Sequence, residues 1–244
     1  MPFLYGAVVD NYLRFANEKD AGTQSPRWMM RRCCPLCRRM NVSLIAEDRL
    51  RAYMRCADCQ LIFVPPEYHV SLQAEKNRYL QHDNSPANKQ YVTYLSGVAE
   101  KLKHIPLTDP AVLDYGCGRE QVLTMLLKRR GYAALGYDPV FGLNPDLNHS
   151  RFDIIVMCEV IEHFRNIGDE LIRLRTLLKP GGYLLIRTEF SDAVDNFGAW
   201  WYKEDITHVN FFSLETMGVL ATFLKGAICF ANGLNLAIIR SGST

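Results

Sequence analysis

The run Leu113-Asp114-Tyr115-Gly116-Cys117-Gly118 restricts the fold of this chain more tightly than any other stretch. Ala111 to Leu113 is apolar and reads as a buried strand that ends in an acid, then turns through two glycines into a helical pattern. A backbone that must approach a ligand closely at a strand-to-helix turn needs residues without side chains. One helix and one strand later, Tyr137-Asp138 supplies an acid positioned to grip a ribose. A lone Gly-x-Gly says little. The acid, the glycines and the second acid in register point to a nucleotide-type cofactor.

After Pro106 strand and helix patterns alternate, the mark of a mostly parallel, doubly wound α/β sheet with helices on both faces. Strands are expected over 111–115, 133–137, 152–158 and 183–188. Helices are expected over 120–130, closed by Gly131, and over 169–178, ended by Lys179-Pro180-Gly181-Gly182. Ser213 is placed to cap a helix running to Lys225. Ile228–Ala231, Asn232-Gly233 and Leu234–Ile239 read as a hairpin with a two-residue turn. The link from Asp138 to Asp153 is too short for a normal crossover, so one strand is expected to be missing there. Upstream, Ser71–Leu80 and Asn88–Leu102 read as helices, Val8–Phe15 as a short one, and Asn17–Pro26 as a polar stretch.

Glu120 stands where a dinucleotide-binding turn would carry its third glycine. A carboxylate beside a helix N-terminus competes with a pyrophosphate for the same positive end. A cofactor without phosphates escapes that conflict.

The chain has eight cysteines, and Cys34-x2-Cys37-x18-Cys56-x2-Cys59 has the spacing of a four-thiolate zinc site. Cys33 gives a poorer spacing and is left out. Four thiolates close a tetrahedron, so the metal is structural and staples a segment too small to fold alone. Cys117, Cys158 and Cys229 lie on or beside expected strands and read as small packing residues. This cysteine usage fits a reducing compartment better than disulfides do, so a cytoplasmic protein is expected. No apolar run approaches the ~20 residues of a membrane span, and the opening stretch lacks the basic start of a signal peptide. The net charge of +2 demands no polyanionic partner, although Arg27, Arg31, Arg32, Arg38 and Arg39 crowd around the first cysteines.

Four motifs now share one resemblance. Leu113–Gly118 and Gly136-Tyr137-Asp138-Pro139 resemble the first two motifs of class I methyltransferases that use S-adenosylmethionine (SAM). Phe152–Ile155 with Glu159–Phe164 is similar to their fourth-strand motif, and Leu178–Gly182 to the turn before the fifth strand. The resemblance implies a Rossmann-like sheet with an antiparallel C-terminal hairpin, preceded here by a small zinc-binding lobe. It also implies that Gly116 and Gly118 face the methionine part of SAM and that Asp138 accepts from the ribose hydroxyls. Asp114 and Glu159 would orient the loop and the SAM amino group.

The Cys-x2-Cys pairs, Tyr79, His82 and Asn84, the pair Trp201-Tyr202, and Asp205-Ile206-Thr207-His208 resemble a bacterial group of zinc-ribbon methyltransferases. In such a chain Tyr79, His82 and Asn84 would belong to a cap over SAM. The expected division is an extension (1–31), the zinc lobe (32–66), a helical linker or cap (67–106) and the methyltransferase domain (107–244).

For the acceptor side the candidates are His163 and His208, both after strand C-terminal ends, where doubly wound sheets bind ligands. The leading reading is methyl transfer to a small-molecule acceptor, sugar-like or another metabolite, by a monomer or homodimer. RNA base methylation is the alternative, resting on the arginines near Cys34. Against it, Cys158-Glu159-Val160-Ile161 stands where an Asn-Pro-Pro-aromatic type of motif would serve exocyclic amines. A non-catalytic SAM-binding interaction module is the third reading.

Overall fold

The computed structural model describes residues 33–243. The helix expected at 8–15, the polar stretch 17–26, the arginines at 27, 31 and 32, and the extension 1–31 lie outside the described residues.

Two sheets organise the rest. In the small one, β1 (Val42–Glu47), β2 (Ala52–Cys56) and β3 (Ile62–Phe63) form an antiparallel meander. Its fourth strand, β8 (Asn210–Phe211), comes from the far end of the chain and pairs Ile62 with Phe211. The large sheet has the order β5-β4-β6-β7-β10-β9. Here β4 is Ala111–Tyr115, β5 Ala133–Tyr137, β6 Phe152–Cys158 and β7 Leu178–Arg187, all parallel. β9 (Ala227–Ala231) and β10 (Leu236–Arg240) add antiparallel, with β10 between β7 and β9.

Strict alternation along the central strands sends side chains to two cores. Leu113, Ile155, Met157, Leu184 and Ile186 face one, and Val112, Ile154, Val156 and Leu185 the other. Helices α2 (Lys89–Lys101) and α3 (Val122–Arg129) cover the second core through Leu95, Val98, Val122 and Leu126. Helices α4 (Ile167–Leu177) and α5 (Leu214–Phe223) cover the first through Leu171, Leu174, Met217 and Leu220. The doubly wound architecture is therefore present. No strand lies between β5 and β6 in sequence, so β5 is the sheet edge, as the short 138–153 link implies.

Side-chain caps set the helix starts. Ser71 accepts from the Ala74 N–H at the head of α1 (Leu72–Tyr79), Asn88 from Gln90 and Tyr91, and Ser213 forms a capping box with Thr216. Three expectations need correction. β7 begins at Leu178, because Lys179–Gly182 continues the strand through an irregular register against β6 instead of ending the helix in a turn. The C-terminal hairpin turn is longer than two residues: Asn232 Oδ1 accepts from the N–H groups of Leu234, Asn235 and Leu236, which organises a wider loop. Cys229 is exposed on edge strand β9, so it is no packing residue.

Candidate active site and cysteine cluster

The cofactor turn sits where β4 leaves the sheet. Gly116 and Gly118 both adopt left-handed backbone, at φ +80° and +66°. A Cβ on Gly116 would come within 2.4 Å of a Val160 methyl, whereas one on Gly118 would meet nothing within 4 Å. Gly116 thus serves packing, and Gly118 leaves room for a ligand. Asp114 lies beneath the turn, buried, accepting from the Thr124 hydroxyl at 2.6 Å; burial raises its carboxyl to about 7. At the tip of β5, Asp138 accepts from the N–H groups of Gly118 (2.9 Å) and Val140 (3.0 Å), and burial raises its pKa. One carboxylate so ties the two expected cofactor motifs together. Glu120 is exposed and lies ahead of α3, which starts at Val122 rather than at residue 120.

The glycine turn and Asp138 open on a cavity of about 920 Å³, at the upper end of the range for small-molecule sites, whereas Asp114 lies behind the turn and does not line it. Tyr79, His82 and Asn84 line it from the segment around α1, together with Gly116, Gly118, Asp138 and Glu159. That segment is clamped by Glu75, which accepts from Arg165 Nε (2.9 Å) and Nη2 (2.6 Å) and from the Tyr79 hydroxyl (2.7 Å). His82 approaches Asp205 at 3.7 Å. Burial works against ionised Asp205, but the Thr207 hydroxyl and N–H and the Arg78 guanidinium outweigh it and hold the carboxyl at about 2.

Just after β6, Glu159 occupies left-handed backbone (φ +55°), an unusual conformation for a residue with a side chain. It accepts from the hydroxyls of Tyr94 (2.6 Å) and Tyr202 (2.8 Å) and pairs with Arg187 at 3.0 Å. Burial and the neighbouring Glu162 raise it to about 7. Glu162 has no exposed surface and accepts from the same Tyr202 hydroxyl at 2.6 Å. His163 and His208 both line the cavity, with ring centroids 4.8 Å apart. Each pairs its Nδ1 with a backbone carbonyl, Thr207 O at 3.0 Å and Tyr202 O at 2.7 Å. Burial lowers both pKa values, and with the neighbouring His163 it takes His208 to about 3. Both rings are therefore neutral at pH 7, with Nδ1 protonated and the Nε2 lone pair left over.

The loop carrying Tyr202, Asp205 and His208 is held from the other sheet. Arg51, 4% exposed, donates to the carbonyls of His208 (2.9 Å), Asp205 (2.9 Å), Ile206 (3.1 Å) and Lys203. Nothing in the sequence singled out Arg51. Glu162 lies in the fourth-strand motif with no role assigned by it, and Tyr94 and Arg187 lie in helix and strand patterns that carry no functional signal.

Cys34, Cys37, Cys56 and Cys59 are buried together, with Sγ pairs 34–59 and 37–56 each 3.5 Å apart. That is far beyond a disulfide, but near the roughly 3.8 Å edge of a tetrahedron with ~2.3 Å zinc–sulfur bonds. Each Cys-x2-Cys makes the same turn: Arg38 N–H donates to Cys34 O and Gln60 N–H to Cys56 O, with positive φ at Arg38 and Gln60. Burial pushes the Cys34 thiol well up. The donor set fits zinc.

A protein family described as "Methyltransferase domain" matches residues 72–222, more than half of the chain. The chain belongs to this methyltransferase family. Its fold is the class I, Rossmann-like one, and SAM is the matching methyl donor. The tenellin synthetase of Beauveria bassiana is 43% identical over 67 residues, which cover 25% of this chain and 2% of that protein. The ubiquinone biosynthesis O-methyltransferase of Bradyrhizobium diazoefficiens is 32% identical over 99 residues, covering 32% of this chain and 39% of that protein. The chain thus spans well under half the length of these relatives. A solved O-methyltransferase family protein from Burkholderia thailandensis overlays with a TM-score of 0.44 at 16% identity, covering 69% of this methyltransferase chain and 63% of that one. Among the described residues no helix is long and apolar enough to cross a membrane.

Proposed function

We propose that this methyltransferase moves a methyl group from SAM to an oxygen of a small-molecule acceptor, with a structural zinc ion on Cys34, Cys37, Cys56 and Cys59. The observation that carries the reading is the single cavity shared by the glycine turn, Asp138 and Glu159 on one side and His163, His208 and exposed Trp201 on the other. Its volume takes a nucleoside-sized donor and a modest acceptor. SAM supplies an electrophilic methyl group on a sulfonium.

Asp138 would hold the ribose hydroxyls, and Glu159, its charge already paired with Arg187, would orient the donor's amino group. Gly118 lets the methionine moiety lie against the backbone. The acceptor hydroxyl would lie near His163 and His208; its oxygen would attack the methyl carbon, the electron pair of the broken carbon–sulfur bond would stay on sulfur, and the hydroxyl proton would pass through the cavity to water. Holding the two reactants in line supplies much of the acceleration. The name of the ubiquinone relative favours oxygen as the acceptor atom. Within this reading, 32–66 forms the zinc lobe, 67–106 the cap and 107–244 the catalytic domain.

Calorimetric titration with SAM tests the reading. The wild type should bind with micromolar affinity, and Asp138→Ala should lose at least tenfold while keeping its melting temperature within a few degrees. Unchanged SAM affinity in that variant would overturn the ribose assignment, and a wild type that ignores millimolar SAM would overturn the function.

A further inference from the structure

Glu162, His163 and His208 are the one other group of potential metal ligands among the described residues, apart from the four cysteines. One ligand atom from each lies within 4.8 Å of the others. We propose that these three side chains form a second metal site, for a divalent first-row transition ion, against which the acceptor oxygen binds.

Three independent features support it. Both imidazoles are anchored through Nδ1 to backbone carbonyls, the outer-shell bond that fixes a ligating histidine and leaves Nε2 for the ion. No hydrogen bond joins either Nε2 to the described residues, so each keeps its lone pair, and that of His163 lies 4.0 Å from Glu162 Oε1. Glu162 Oε2 is fully buried with no hydrogen-bond partner, while Oε1, the oxygen 4.0 Å from His163 Nε2, has the Tyr202 hydroxyl, so the carboxyl is under-compensated.

Charge points the same way. Arg187 balances Glu159, but no lysine or arginine reaches Glu162 among the described residues; its nearest basic atom is His163 Nε2 at 4.0 Å. The Tyr202 hydroxyl is shared by Glu162, Glu159 and Thr188, and its one proton can serve one of them at a time. A divalent ion would satisfy Glu162 and both Nε2 atoms at once, drawing the ligand atoms to roughly 3 Å apart at the usual ~2.1 Å bond lengths.

With Nδ1 held on a backbone carbonyl, each imidazole keeps its Nε2 lone pair as a ligand. Two imidazoles and a carboxylate suit Mn2+, Fe2+, Co2+ or Zn2+, and three protein ligands leave open positions on the cavity side. A hydroxyl entering one of them loses its proton more readily. The proton leaves through the cavity to water, the oxygen attacks the methyl carbon, and the electron pair of the broken bond stays on sulfur. This deepens the oxygen-acceptor reading and rests on it for its catalytic meaning, but not for metal binding.

The test is calorimetric and paramagnetic-resonance titration of the full-length protein, its four-cysteine site loaded with one equivalent of zinc and excess ion removed by desalting, with Mn2+, which prefers oxygen and nitrogen to a four-thiolate site. One Mn2+ per chain should bind, and Glu162→Gln, His163→Gln and His208→Gln should each weaken it at least tenfold. SAM titration of the same samples should show donor binding retained in His163→Gln and Glu162→Gln, which certifies a folded cavity. Absence of saturable Mn2+ and Co2+ uptake in wild type that binds SAM would overturn the metal site. Uptake undiminished in all three variants would do the same. Mn2+ uptake that is lost in the variants, by a protein indifferent to SAM, would instead uphold the metal site and sink the methyl-donor reading.

Discussion

Replacing Arg51 by methionine removes a guanidinium that joins the small sheet to the loop of Tyr202, Asp205 and His208, while keeping most of the apolar stem. Of its four carbonyl partners, Lys203 O and His208 O are reached through buried bonds, and Asp205 O and Ile206 O through partly buried ones. Water can replace the guanidinium at the latter pair. The two buried carbonyls are orphaned, at about 1–3 kcal/mol each. The bonds from Arg51 Nε to Tyr53 OH and from Tyr53 OH to Asp48 lose their anchor as well. The expected loss is about 3–4 kcal/mol. For a chain of this size that corresponds to a melting-temperature fall of roughly 10 °C. Scanning calorimetry reads the stability, and hydrogen exchange at residues 201–209 reads where the structure loosens. Arg51→Lys should recover less than half, because one ammonium cannot reproduce the fork. A melting temperature within 2 °C of wild type, with unchanged exchange in the loop, would refute the argument that Arg51 holds the acceptor wall.

Three further outcomes follow from the geometry. Asp114 has a folded pKa near 7 against an unfolded value near 3.8, so the unfolded chain ionises first and stability falls as pH rises between those values; Asp114→Asn should remove that slope and raise stability at pH 8 by on the order of 2–4 kcal/mol, read by urea melts at pH 4 and pH 8. Gly116→Ala should cost at least 2 kcal/mol from its backbone angle and its clash with Val160, and Gly116→Ala with Val160→Ala should recover only the clash; full recovery would show that the left-handed turn carries no strain. Replacing Cys56 and Cys59 by serine should release one zinc per chain in a dye assay and deprotect residues 42–63 in hydrogen exchange, and a variant that retains zinc would remove the four-thiolate assignment.

The parallel strands were legible because each is a short apolar run between turn signals, and their edges at 111–115, 133–137 and 152–158 fall where the sequence puts them. β7 starts earlier than its sequence pattern suggests because Pro180-Gly181-Gly182 carries turn chemistry, yet the strand absorbs it as an irregularity against β6. Asp138 and the glycines announced themselves by local order along a few residues. The acceptor wall did not. Arg51, Glu162 and Tyr94 meet their partners across long stretches of chain, and a single sequence carries no periodicity that reports such meetings. The Cys-x2-Cys turns were visible as spacing, but their left-handed residues are Arg38 and Gln60 rather than glycine, so that conformation had no sequence mark.

The pairing of β3 with β8 also orders events in time. Arg51 and the His208 carbonyl it holds are 157 residues apart along the chain. A ribosome adding roughly 5–20 residues per second needs on the order of ten to thirty seconds to cross that gap. Late in that interval all four cysteines have been made, while the last strand of their sheet has not. An ion captured by the thiolates then would stabilise an open-edged hairpin until its missing strand arrives. The acceptor wall, which hangs on Arg51, would be assembled last.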